Sequence, residues 1–190
     1  LGGAEWTPIG LKYSPTDKKD KPFSGNFDGQ GHSISNFSIA FSSGLKGRGF
    51  FGYLSGVVTI SNLNLNNVTL KSNAQFSTGY GLLVGLNQSY LTIENCKIDG
   101  SSSISVQNHT NGNYSLGIGS LVGAHYIGET ESETLSGTGV YISDCSVKSD
   151  IDVSNLDTSG YGFVGVGGIM GAQIYGYAWS PDIDITIQKC

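Results

Sequence analysis

An all-β solenoid of about five irregular stacked coils is the fold this sequence predicts, on three observations. A glycine-flanked apolar motif recurs: Gly81-Leu82-Leu83-Val84-Gly85, Gly119-Ser120-Leu121-Val122-Gly123 and Gly167-Gly168-Ile169-Met170-Gly171, with a looser copy at Arg48-Gly49-Phe50-Phe51-Gly52. A second motif follows each: Ile60-Ser61-Asn62-Leu63, Ile93-Glu94-Asn95-Cys96, Ile142-Ser143-Asp144-Cys145 and Ile187-Gln188-Lys189-Cys190, with Ile34-Ser35-Asn36-Phe37 read as the earliest copy. Apolar residues alternate in short runs (Val58, Ile60; Leu63, Leu65; Val68, Leu70), which is the period of strands. Such a unit cannot bury its apolar side alone, and stacking on the next unit does so.

The chain reads as one domain over residues 1–190, with 1–22 as lead-in and cap and 23–190 as coils. Trp6, with Phe23, is expected to cover the first coil, since an open strand edge invites pairing with another chain. Coil one spans Phe23–Ala40, with Gly25, Gly29 and Gly31 at sharp turns and His32 in a turn. Coil two spans Phe50–Leu70. Coil three is Gly81–Val106, coil four Gly119–Val153 and coil five Gly167–Cys190. The last two are enlarged by the expected loops His125–Tyr141 and Gln173–Asp182. Asn36, Asn62, Asn95 and Asp144 are read into one bend position, where side-chain amides can bond from coil to coil, and Lys189 breaks that series. Coil five lacks the outgoing strand that follows Cys96 and Cys145, so the chain is expected to be a fragment of a longer polypeptide.

Alignment of the repeats puts Phe37, Leu63, Cys96, Cys145 and Cys190 on one internal ladder, with the cysteines acting as small buried hydrophobes. A disulfide between neighbouring coils stays open, one cysteine of the three being left over. Charged residues make up 13% of the chain, too few to solvate an ordinary globular surface, so Ser, Thr and Asn must face the water. A net charge of -5 without a basic run leaves nucleic-acid binding unsupported. No apolar run is long enough to insert in a membrane as a helix. No histidine repeats beside the cysteines, so neither a metal nor a cofactor is expected.

Catalytic patterns are missing: there is no zinc-protease histidine pair, no phosphate loop and no nucleophile elbow. Glu129, Glu131 and Glu133 alternate in the coil-four loop, and Asp144, Asp150, Asp152, Asp182 and Asp184 follow. Glycosidic cleavage needs two carboxyls held on rigid elements, and most of these lie in loops. The aromatics are the stronger lead. Tyr126, Tyr141, Tyr175, Tyr177 and Trp179 fall in or beside the two insertions and, with Glu129 and Glu131, form the candidate ligand-binding set. An ice-binding face, with Ser33, Thr59, Thr92, Tyr141 and Thr186 in one column, is weaker because the column is irregular.

Trp6-Thr7-Pro8-Ile9-Gly10, Phe23-Ser24-Gly25-Asn26-Phe27-Asp28-Gly29-Gln30-Gly31-His32-Ser33-Ile34 and the five-residue glycine motifs closely resemble bacterial domains built from the GLUG motif. The resemblance covers nearly the whole chain. It implies a right-handed parallel β-helix of a secreted or cell-surface-anchored protein, with adhesin-like relatives and others in the non-catalytic regions of immunoglobulin A1-cleaving metallopeptidases. It brings no catalytic residue. The expected function is a non-catalytic structural or adhesive module binding a glycan or a host surface protein beside neighbouring domains of its parent. A carbohydrate-active β-helix enzyme, hydrolase or lyase, is the alternative.

Overall fold

A computed structural model of the chain describes residues 2–12, 20–39, 46–72, 78–107, 115–127, 139–156, 162–175 and 184–190. Its strands are β1 (Ala4–Trp6), β2 (Phe23–Asp28), β3 (Ser33–Ile39), β4 (Gly47–Arg48), β5 (Phe51–Ser61), β6 (Asn64–Ser72), β7 (Gly79–Tyr80) and β8 (Val84–Glu94). They continue with β9 (Lys97–Val106), β10 (Ser115–Gly119), β11 (Val122–Ile127), β12 (Gly139–Ser143), β13 (Ser146–Asp152), β14 (Phe163–Gly167), β15 (Met170–Tyr175) and β16 (Ile185–Gln188). Three sheets of successive parallel strands result: β1-β3-β6-β9-β13, β4-β7-β10-β14, and a third holding β2, β5, β8, β11, β12, β15 and β16. This is the pattern of a parallel β-solenoid. Among the described residues no helix is long and apolar enough to cross a membrane.

Register turns the sequence repeat into columns. Phe27, Ile60, Ile93, Ile142 and Ile187 lie one above another, as do Val58, Leu91, Val140 and Ile185. In the neighbouring sheet Ile34, Leu65, Ile98 and Val147 do the same. Alternate residues point inward, so these columns, apart from the exposed Ile187, make one continuous apolar interior. Strands β5 and β8 run unbroken round a bend. In the next two coils the same path is split, into β11 and β12 and then β15 and β16, with the insertions between the halves.

The glycine motif is explained by backbone packing. The short strands β4, β7, β10 and β14 press their backbones against the start of the third sheet. A Cβ on Gly79 or Gly81 would overlap the backbone of Gly85 or Val84, and one on Gly85 would overlap Arg48 in the coil below. Gly123 stands in the same relation to Tyr80, and Gly171 to Ile118. Only a residue without a side chain fits between two main chains at this separation.

Left-handed backbone makes one bend in every coil from the second onward and a further bend in the first three. Asn62, Asn95, Asp144 and Lys189 have φ of 54°, 49°, 54° and 52°. Asn67 and Gly100 repeat the device further along, at 53° and 70°, and Asn36 at 59° belongs with them. This corrects the reading of coil one. Ile34 pairs with Leu65 and Phe37 with Val68, so Phe37 is buried but is not on the Leu63 ladder, and Phe27-Asp28 is the partner of Ile60-Ser61. The confusion has a physical origin. Both bends select Asn for its tolerance of positive φ, and Ile precedes each by two residues, so one local signature serves two corners.

Leu63, Cys96 and Cys145 are buried, and the flanking register places them in one column. Cys190 lies in register with them but is exposed, because no described strand stands above it. At the other end Trp6 stacks on Phe50 with centroids 4.4 Å apart and planes 10° from parallel, and its Nε1 donates to the Phe50 carbonyl at 3.0 Å. Phe23 instead leans on Phe51, 5.0 Å away.

Candidate ligand-binding face

The outward side of β5, β8, β12 and β16 is a flat polar surface. Asn26, Thr59, Thr92, Tyr141 and Thr186 form one outward column, so Asn26 replaces the expected Ser33. Beside it run Asp28, Ser61, Glu94, Ser143 and Gln188. Where this face meets the left-handed bend lies a groove of about 510 Å³ lined by Ser61, Asn62, Glu94, Asn95, Tyr141, Ser143, Asp144, Gln188 and Lys189.

The groove floor is held from below. Asn62 Nδ2 donates to Asp28 Oδ1 at 2.9 Å, and Asn95 Nδ2 donates to Asn62 Oδ1 at 2.8 Å. Bonds from Asn62 and then from the Gln30 N–H hold the Asp28 carboxyl below its ordinary range. Gln188 Nε2 donates to the Tyr141 hydroxyl, which orients the ring across one coil spacing. Lys189 Nζ approaches Asp144 Oδ1 at 3.9 Å. The groove therefore offers one oriented aromatic ring, two exposed carboxylates at Glu94 and Asp144, and a row of amides and hydroxyls at strand ends and bends. That set can hydrogen-bond and stack. Exposed Val57 and Tyr90, paired on β5 and β8, extend the surface.

Of the candidate ligand-binding residues whose side chains are described, Tyr141 lines this groove and Tyr126 does not. Tyr126 is half-buried against a separate apolar cluster of Tyr53, Leu86, Ala124, Ala172 and Ile174. Tyr175 ends β15 with its backbone paired to Ile127. Glu129, Glu131, Tyr177 and Trp179 lie outside the described residues. Glu94, Asn62 and Asn95 were not singled out for binding. The signal was present in the alternation, which places Thr59, Ser61, Thr92 and Glu94 outward together.

His125 is a second correction. It does not begin a loop: it sits inside β11, fully buried, in a column with Leu54, Asn87 and Gln173. Ser89 donates its N–H and hydroxyl to Asn87 Oδ1, which fixes the amide so that Nδ2 meets His125 Nδ1 at 2.8 Å. The imidazole proton therefore sits on Nε2, which finds no hydrogen-bond partner. Burial lowers the His125 pKa from 6.5 to about 4, against a smaller raising effect from Asn87. Among the described residues no cluster of His, Cys, Asp and Glu could hold a metal ion.

No protein-family model matches the chain. Among curated proteins it is similar to halomucin of Haloquadratum walsbyi, 32% identical over 100 residues, which is 53% of this chain and 1% of halomucin. The chain thus spans only about 1% of the length of that relative. No solved structure matches.

Proposed function

We propose that this chain is a non-catalytic β-solenoid module of a secreted or surface-anchored protein, and that it binds glycan through the groove around Tyr141. The observation that carries the reading is the oriented Tyr141 ring beside Glu94 and the hydrogen-bonded Asn62–Asn95 amides in one groove. Sugar rings present apolar faces and hydroxyl rims, and an aromatic ring flanked by amides and carboxylates complements both. Right-handed winding in five coils is part of the proposal. It is supported by the strong bias of parallel-strand crossovers toward that hand. Assignment to the GLUG-motif domains is also part of the proposal and rests on the resemblance at residues 6–10, 23–34 and the five-residue glycine motifs; the close main-chain contacts at Gly81, Gly85 and Gly123 give those glycines a physical role. Partial similarity to a far longer protein supports a modular role beside other domains.

Titration of neutral and acidic oligosaccharides against the chain, followed by backbone amide shifts, tests the reading. Shifts confined to Ser61, Glu94, Asn95 and Ser143, abolished in Tyr141→Ala, are expected. Absence of saturable binding across the panel, or equal binding by Tyr141→Ala, removes it. Release of new reducing ends or unsaturated sugars, lost in Glu94→Gln, would instead establish the enzyme reading, for which Glu94 and Asp144 are the carboxylates in the groove.

A further inference from the structure

A second aromatic ring stands on the same outward face as Tyr141. Register pairs Val57 with Tyr90 and Tyr90 with Gly139, two residues before the column of Thr59, Thr92 and Tyr141. Side chains two apart on a strand share a face, so Val57, Tyr90 and Tyr141 project from neighbouring strands to the same side. Exposure agrees: Val57 is 69% and Tyr90 47% exposed, while Leu91, between Tyr90 and Thr92, is wholly buried.

Gly139 gives the Tyr90 ring its place. Tyr90 Cε2 and Cδ2 lie 3.3 and 3.6 Å from where a β-carbon on Gly139 would stand, so the ring covers the bare backbone of coil four. Tyr141 reaches the same way, its hydroxyl accepting from Gln188 Nε2 in coil five. Each ring therefore extends one coil onward, and the offset between their starting points is kept. Two residues along a strand and one coil across set those Cα atoms about 8 Å apart. Val57 widens the apolar end of this diagonal, and the groove with Glu94 and Asn95 lies at its polar end.

We propose that Tyr90 is a second stacking residue, and that the ligand is a linear glycan of at least two gluco-configured, β-linked pyranose units laid from Tyr90 across Tyr141 into the groove. The inference rests on the glycan reading above and adds to it the length and linkage of the ligand. A pyranose whose hydroxyls are all equatorial shows a face of axial C–H groups, which an aromatic ring covers. Equatorial β-linkages keep successive rings in one extended ribbon, whereas an axial α-linkage bends the chain and lifts the next ring off the sheet. A single sugar meets one ring or the other. A chain meets both, and the second contact is made by a ligand already held at the first, so affinity grows with length. The carboxylates of Glu94 and Asp144, against the ammonium of Lys189, favour a neutral chain over an acidic one.

The test titrates the chain by calorimetry with β-linked glucose oligomers, from monomer to tetramer, and with the α-linked series of the same lengths. Affinity is expected to rise about tenfold from monomer to trimer in the β series and to stay level in the α series. Tyr90→Ala is expected to remove the rise, and Tyr90→Phe, which keeps the ring, to retain it. A rise that survives Tyr90→Ala overturns the inference, as does equal affinity for the α- and β-linked tetramers or for monomer and tetramer. Binding of other oligosaccharides through Tyr141, with neither glucose series bound, overturns this inference and leaves the glycan reading standing. No binding of any glycan removes both.

Discussion

Asn95 donates its side-chain amide to Oδ1 of Asn62 in the coil below at 2.8 Å, and Asn62 donates onward to Asp28 at 2.9 Å. The ladder has a direction: each rung gives its N–H downward. Asp144, next in the column, has no N–H to give. Its contact with Lys189 at 3.9 Å joins two exposed side chains and contributes little. Asp144→Asn extends the ladder by one rung and is expected to raise stability by about 0.5–1 kcal/mol. Asn95→Ala removes a bond and puts alanine at φ 49°, so it should cost about 2 kcal/mol. Urea midpoints measure both, and a lowered midpoint in Asp144→Asn refutes the directional ladder.

Gly85→Ala should prevent folding or cost at least about 3 kcal/mol, since the new Cβ meets the Arg48 main chain and main chain cannot step aside. Gly168→Ala is the control. Nothing lies within 4 Å of its Cβ position, and the change should stay within about 0.5 kcal/mol. Equal losses at the two positions would show that propensity, not close approach, explains the motif.

His125 predicts an acid-sensitive step. Its folded pKa of about 4 lies below the unfolded 6.5, so between those values the unfolded chain binds a proton that the folded chain refuses. Stability is intact above 6.5, falls as the pH drops through this window by about 3 kcal/mol, and is level in this respect below 4. Asp28 and Asp152, whose carboxyls are held below 3.8, lose their contribution only at lower pH still. Chemical denaturation of wild type and His125→Gln across pH 4–7 should show the slope vanish in the variant.

Trp6→Ala uncovers Phe50, on which the indole stacks at 4.4 Å, and removes one of two hydrogen bonds to the Phe50 carbonyl, leaving that from the Ile9 N–H at 3.0 Å. The side chain is only partly buried, so the loss should be about 2 kcal/mol, below that of a fully buried tryptophan. Thermal unfolding checks the size, and light scattering checks whether the uncovered end associates.

The columns of the fold were legible because a solenoid writes its geometry locally. Ile60, Ile93, Ile142 and Ile187 point the same way in their own coils before any coil meets another. Coil one was misread at Phe37 because Asn36 and Asn62 satisfy the same backbone requirement at different corners. Strand length, not residue chemistry, tells those corners apart. His125 was misread because a polar residue beside an insertion resembles loop, and only the neighbouring Asn87 makes it tolerable inside a strand.

By itself the sequence determined the repeat, the β period, the close-packed glycine sites and the column of cysteines, all properties of short stretches compared with one another. The tertiary structure decided which outward residues share a groove and which ladder Phe37 joins. Those depend on register between coils, and a shift of one residue would send each of these side chains to the opposite face.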